Sequence, residues 1–362
     1  MPGGASQKSG GGTFFEDFQL DDEIIHATPR TVTAGDVALY TALYGSRFAL
    51  TSSDEFARAC GLPGAPVDDL LVFHLVFGKT VPDISLNAVA NLGYADCLFH
   101  TPVYPGDTLS ATSRVIGVKQ NSTGKTGTVY VRSTGRNQRG ETVLDYVRWV
   151  MVRKRDEAAP APQAVVPELP ETVALDRIAL PGALDASGYH TALAGSADLW
   201  DDYEIGERID HRGGVTVEEA EHMMATRLYQ NTARVHFDAH AAHGTRFGRR
   251  IVYGGHVISH ARSLSFNGLA NAMTIAAING GRHVAPLFAG DTIYAWSEVL
   301  DKSPLPGRDD IGALRLRTVA AKDHPCGDFP DKDADGGDHP AVVLDLDYTI
   351  LMPRHATGEA RK

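Results

Sequence analysis

A mixed α+β chain made of two tandem copies of one domain, each an antiparallel sheet wrapped around a single apolar helix, is what these 362 residues predict. Three observations carry that expectation. The sequence repeats itself at a spacing of about 185 residues: FQLDDEIIH at 18–26 returns as YEIGERIDH at 203–211, PVYPGDTL at 102–109 as PLFAGDTI at 286–293, and LDY at 144–146 as LDY at 346–348. Each copy then carries one greasy helical stretch followed by long runs that alternate with period two, the mark of half-buried antiparallel strands. Finally, the segment 157–172 is rich in Ala and Pro, too proline-dense for a helix or central strand, and reads as the joint between the copies.

Residues 1–12, MPGGASQKSGGG, lack the apolar core of a signal peptide and read as a disordered tail. The copies then occupy 13–156 and 173–355, with the linker at 157–172 between them. A short helix is expected at 34–44 and again at 217–228, with Thr33 and Thr216 as N-caps and Glu219 three residues after Thr216. A more apolar helix follows at 69–77 and at 255–269. The runs 107–118, 127–135 and 142–152, and their counterparts 291–299, 312–321 and 342–352, read as strands. The Asp/Gly/Pro-rich run 323–340 reads as a loop between the last two strands.

With 43% hydrophobic and 22% charged residues the chain has ample material for cores, and its net charge of −11 disfavours a nucleic-acid partner. No run of about 18 apolar residues marks a membrane span. Three scattered cysteines, Cys60, Cys97 and Cys326, form neither a disulfide framework nor a metal pattern; they read as packing residues in a cytoplasmic protein.

Chemistry concentrates between Tyr229 and Ser265. His236 can take and give a proton near neutral pH, Asn231 can position water without titrating, and amides at the Gly254-Gly255 entry of a helix can polarise a carbonyl oxygen. Asp238 reads as structural, capping a following turn or orienting a neighbour. His222, His240, His243, His256 and His260 read as surface or helix-face residues, and no Cys/His/carboxylate spacing indicates a metal.

The run from Gln230 to Asp238, followed by Phe247, Ile251, Tyr253 and Gly254, resembles the signature of the MaoC-like and (R)-specific enoyl-CoA hydratase family, roughly G-D-x-N-P-x-H-x-D and then F-x-x-x-I-x-H-G. The histidine, the aspartate two residues later, the phenylalanine and the spacing to glycine are kept. The family's catalytic aspartate is replaced by Asn231 and its Asn-Pro pair by Ala233-Arg234. The resemblance implies a double hot-dog fold and a hydro-lyase acting on an enoyl-CoA thioester, with His236 and Asn231 catalytic. It implies thioester binding at Gly254 and Gly255, and no cofactor beyond the coenzyme A carried by the substrate. The first copy holds Thr51 at the histidine position, which implies a degenerate site there.

With its asparagine substitution and fused length, the pattern most resembles the members of that family that act on a branched, carboxylated substrate, and the resemblance implies reversible addition of water to 2-methylfumaryl-CoA. A straight-chain enoyl-CoA hydratase and a non-hydratase acyl-CoA-binding or thioesterase-like protein are the alternative readings. Arg246, Arg249 and Arg250 would meet coenzyme A phosphates, or form a solvated loop. Arg262, eight residues after Gly254, would grip the substrate's C4 carboxylate, or pair with a protein carboxylate or snorkel to solvent. Association of copies into a homo-oligomer is the remaining partner expectation.

Overall fold

The computed structural model describes residues 10–355. Eleven strands appear in it: β1 (Glu23–Thr31), β2 (Ala88–Phe99), β3 (Thr108–Gln120), β4 (Thr126–Arg136), β5 (Thr142–Arg153), β6 (Arg208–Asp210), β7 (Val215–Thr216), β8 (Thr274–His283), β9 (Thr292–Pro304), β10 (Ile311–Lys322) and β11 (Val342–Pro353). The helices are α1 (Ala34–Tyr44), α2 (Ala49–Ser52), α3 (Asp54–Ala59), α4 (Asp69–Thr80), α5 (Thr191–Ala194), α6 (Glu219–Leu228), α7 (Ala239–His243), α8 (Gly254–Leu264) and α9 (Phe266–Leu269).

All strands belong to one sheet, in the order β1-β3-β4-β5-β2-β8-β11-β10-β9-β6, with β7 also on β9. The order reads the same from either edge once copies are exchanged, which is the double hot-dog arrangement. The seam is antiparallel pairing of β2 with β8, Tyr94 opposite Gly281 and Leu98 opposite Ala277. Alternation fixes the long strands: in β3 and β4 every second residue is buried, against α4. Helix α4, buried from Leu70 to Thr80, lies in the concave face of the first half, and α8, buried from Gly255 to Arg262, in that of the second.

The repeat extends to the interior. His26 Nε2 lies 2.8 Å from Ser113 Oγ, which lies 2.6 Å from Ser133 Oγ; His211 Nε2 lies 2.6 Å from Ser297 Oγ, itself 2.6 Å from Thr318 Oγ1. Between α4 and α8 runs a buried polar seam. Tyr40 Oη donates to Ser259 Oγ at 2.9 Å, and His74 Nε2 shares that hydroxyl at 3.0 Å. Tyr44 Oη touches Tyr229 Oη at 2.6 Å and His256 Nδ1 at 2.7 Å, and His256 continues to His260 at 3.0 Å. His222, His256 and His260 are therefore buried helix-face residues.

Some expectations change. Thr33 does cap α1, accepting from Asp36 N at 3.1 Å, but Thr216 sits in β7 and bonds Thr292 across the strand pair, so α6 starts at Glu219 without a side-chain cap. Strands β2 and β8 are additional to the strands expected from the sequence. The helix expected at 255–269 breaks at Asn267 and Gly268, which leave helical geometry. Of the tail expected at 1–12, residues 1–9 lie outside the described residues; the Gly11 carbonyl accepts from Asn87 Nδ2 at 2.9 Å. In the linker segment, Val165 N donates to Val118 O at 2.8 Å, laying the chain against β3. The three cysteines are buried free thiols, and no helix among the described residues is long and apolar enough to cross a membrane.

Candidate active site

The loop after α6 is held by its own backbone. Gln230 takes a positive φ of 54°, turning the chain so that Asn231 N donates to Thr226 O at 3.1 Å. The turn is pressed from the other copy: a β-carbon at Gly78 of α4 would collide with the Tyr229 carbonyl, so glycine is what lets the two backbones meet. Asn231 is buried, and its Oδ1 accepts from Ala233 N at 3.0 Å. Its carbonyl already serves the backbone, and among the described residues Nδ2 has no partner.

His236 closes a 3-10 turn, Arg234–His236, five residues on. Its Nδ1 lies 2.8 Å from the Ile251 carbonyl, which can only accept, so Nδ1 carries the proton and Nε2 the lone pair. Burial pushes its pKa down to about 4, against the Ile251 bond that raises it, so the ring is a neutral base at pH 7. Tyr253 packs its ring against His236 at 5.6 Å between centroids; its buried hydroxyl has no partner among the described residues. Asp238 caps α7, accepting from Ala241 N at 2.9 Å.

Tyr253 is also the N-cap of α8, so the Gly254 and Gly255 amides lead that helix one and two residues from a side chain touching His236. A β-carbon at Gly254 would strike the His283 imidazole, and one at Gly255 the rings of Tyr253 and His74. His283, at the end of β8, is a site residue that sequence reading missed. Its Nε2 lies 3.2 Å from Tyr94 Oη of the first copy, and burial first, then nearby His236, push its pKa down to about 4.

A cavity of about 540 Å³ opens beside this loop, lined from both copies by residues including Thr28, Lys79, Arg227, Gln230, Asn231 and Phe237. At the corresponding place in the first copy, Thr51 bonds its hydroxyl to Phe48 O at 3.2 Å and lines a cavity of only about 60 Å³. Asp69, whose pKa burial pushes up to about 7, and His100 also line that cavity.

The arginines divide. Arg250 pairs with Glu219 and is mostly buried, donating also to Met223 Sδ at 3.1 Å, which ties the loop to α6 rather than freeing it for a ligand. Arg246 lies 4.4 Å over Phe247 and Arg249 3.8 Å over Phe288, two exposed guanidiniums flanking an aromatic pair. Arg262 is not brought to His236. It stacks 3.6 Å over Phe48 and donates to Ser265 Oγ at 3.3 Å and the Ala272 carbonyl at 3.4 Å, toward the C-terminal end of α8. It also lies within electrostatic reach of Asp68, whose pKa burial raises and Arg262 lowers. Among the described residues no cluster of three or more His, Cys, Asp or Glu is placed to hold a metal.

Residues 5–327 match the family model described as mesaconyl-CoA hydratase. The chain is 69% identical to the β-methylmalyl-CoA dehydratase of Chloroflexus aurantiacus, over 96% of this chain and 99% of that protein. It is 61% identical to the mesaconyl-CoA hydratase of Cereibacter sphaeroides, over 96% and 100%. A solved structure of a putative MaoC domain protein dehydratase from Chloroflexus aurantiacus superposes with a TM-score of 0.95 at 68% identity, covering 97% of this chain and 100% of that one. A conserved hypothetical protein of Mycobacterium tuberculosis with a double hot-dog fold superposes at 0.74, with 25% identity over 95% and 99%.

Proposed function

Because the chain belongs to the mesaconyl-CoA hydratase family, we propose that it is a hydro-lyase that reversibly adds water to mesaconyl-CoA (2-methylfumaryl-CoA), giving β-methylmalyl-CoA. The observation that supports the chemistry is the state of His236: neutral, with Nδ1–H spent on Ile251 and a lone pair left on Nε2. Hydration needs a hydroxyl on the β-carbon, a proton on the α-carbon and support for the enolate-like oxygen between them. His236 takes the proton from water as oxygen bonds to the β-carbon, and returns a proton to the α-carbon. Asn231 Nδ2 orients the water oxygen; an amide does not titrate, so the histidine carries the proton traffic. The Gly254 and Gly255 amides, at the positive end of the α8 dipole, hold the thioester oxygen. Arg246 and Arg249 receive the coenzyme A phosphates at the surface, the substrate being the acyl-CoA partner. Arg250 is occupied by Glu219 and takes no part.

The test is loss of conjugated-thioester absorbance with mesaconyl-CoA and crotonyl-CoA side by side. Wild type is expected to consume mesaconyl-CoA faster; loss with crotonyl-CoA alone would favour straight-chain hydration, and loss with neither would remove both hydratase readings. His236→Ala is expected to lower kcat by about 10²–10⁴-fold while the chain still folds cooperatively. Because the ring stays neutral well below its usual pKa, wild-type kcat/KM should hold from pH 7 to below 6 and fall only toward pH 4. A mutant keeping half its activity would sink the assignment.

A further inference from the structure

The substrate read above carries a second anion, its C4 carboxylate, bonded to the β-carbon that receives the water. Whatever holds that carboxylate must stand next to the group that orients the water, which is Asn231. Arg262 begins eight residues, about 12 Å, along α8 from the thioester-binding glycines, and its guanidinium is spent on Phe48, Ser265 and Ala272.

Lys79 meets the requirement. It stands next to Gly78, the glycine pressed against the Tyr229 carbonyl, and shares with Asn231 the 540 Å³ cavity between the copies. The residue is 3% exposed. Its Nζ donates to the Thr28 carbonyl, and among the described residues no carboxylate pairs with it. An ammonium has three protons to donate, and a buried cation is retained at low cost only where an anion meets it. The residues lining the cavity include Arg227 and no Asp or Glu, on a chain whose net charge is −11. The volume is ordinary for a small-ligand site.

Resting on the hydratase reading above, we infer that Lys79, from the copy without a catalytic histidine, binds the C4 carboxylate of the substrate and sets the preference for a carboxylated over a plain enoyl-CoA. The first copy thus contributes a specificity residue to the second copy's site. Burial, then Arg30, push the Lys79 pKa down to about 8, so the ammonium that binds the carboxylate is present at neutral pH and is lost as pH rises through about 8. The charged groups around it are Arg30, itself paired with Asp36, Arg227 across the cavity, and Asp83, four residues on and bonded to His26.

The experiment measures binding apart from turnover. Dissociation constants for mesaconyl-CoA, crotonyl-CoA and free coenzyme A are compared by calorimetry in His236→Ala and in His236→Ala with Lys79→Gln or Lys79→Met. Mesaconyl-CoA is expected to weaken by about 10²-fold, as for loss of one partner of a desolvated charge pair, with crotonyl-CoA and coenzyme A changed less than threefold. Equal weakening of all three ligands would assign Lys79 to the coenzyme A phosphates and overturn the inference, as would no change in any. Should the Lys79 variants not fold, the ratio of mesaconyl-CoA to crotonyl-CoA affinity in His236→Ala is followed from pH 7 to 9; it is expected to fall, and a flat ratio overturns the inference. Failure of the hydratase reading is a separate result: wild type that binds mesaconyl-CoA with this preference but does not hydrate it.

Discussion

His236, His283 and Tyr94 bring together side chains from widely separated parts of the sequence. Nothing in a local motif marks the second or third. A histidine ending a strand and a tyrosine from the other copy acquire meaning only when the sheet sets them beside Gly254 and the His236 loop. Lys79 is hidden in the same way, at the end of the apolar run LLVFHLVFGKT, about 150 residues before the asparagine it accompanies. Arg262 shows the converse: its place on an apolar helix suggested an anion, and an aromatic ring, two oxygens and the field of the Asp68 carboxylate surround it instead. Arg262→Ser is therefore expected to cost about 1–3 kcal/mol of stability, by leaving buried acceptors unpaired and uncovering Phe48. It should lower mesaconyl-CoA and crotonyl-CoA turnover in parallel. Selective loss of mesaconyl-CoA turnover at unchanged stability would return Arg262 to the role its sequence position suggested.

At the scale of elements, the two glycine contacts differ in what opposes them. At Gly78 the obstacle is the Tyr229 carbonyl, part of a backbone held by its own turn; at Gly254 it is the His283 imidazole, which can turn about two side-chain bonds. Gly78→Ala is expected to lower the urea midpoint more than Gly254→Ala, by about 1–3 kcal/mol of overpacking, and to disturb Asn231 with it. The reverse order would mean that the loop yields more readily than the ring. The sequence shows plainly what alternates. Strands β3, β4 and β9 alternate buried and less buried residues along much of their length, and α1 carries its cap in Thr33. The strands β2 and β8 escape because the seam covers them: β2 is buried at every residue from Gly93 to Phe99, and its Ala, Gly and Asn content carries no period-two signal. Thr216 misleads because a cap signature is only a local preference, and pairing with Thr292 overrides it.

The molecule as a whole keeps an unusual number of imidazoles out of water. Burial pushes His74 down to about 3, and His211, His236, His260 and His283 to about 4, and lowers His26 and His256 as well. Unfolded, each would bind a proton near pH 6.5. Between that value and the folded ones the unfolded chain holds more protons, so stability is complete above about pH 6.5 and declines as pH falls toward 4. Unfolding midpoints in urea are expected to drop over this range; a constant midpoint down to pH 4.5 would show that these rings are hydrated in solution. The continuous sheet also bears on how the chain is made. Strand β2 finds its outer partner, β8, some 185 residues later. During synthesis the first copy must therefore wait with a row of unpaired amides and carbonyls along β2, the kind of edge that captures other chains, and β8 arrives as the piece that seals it. A fused pair thus converts a concentration-dependent encounter between two subunits into the closing of a loop within one, and the cost falls on the interval when half the protein has emerged and its neighbour has not.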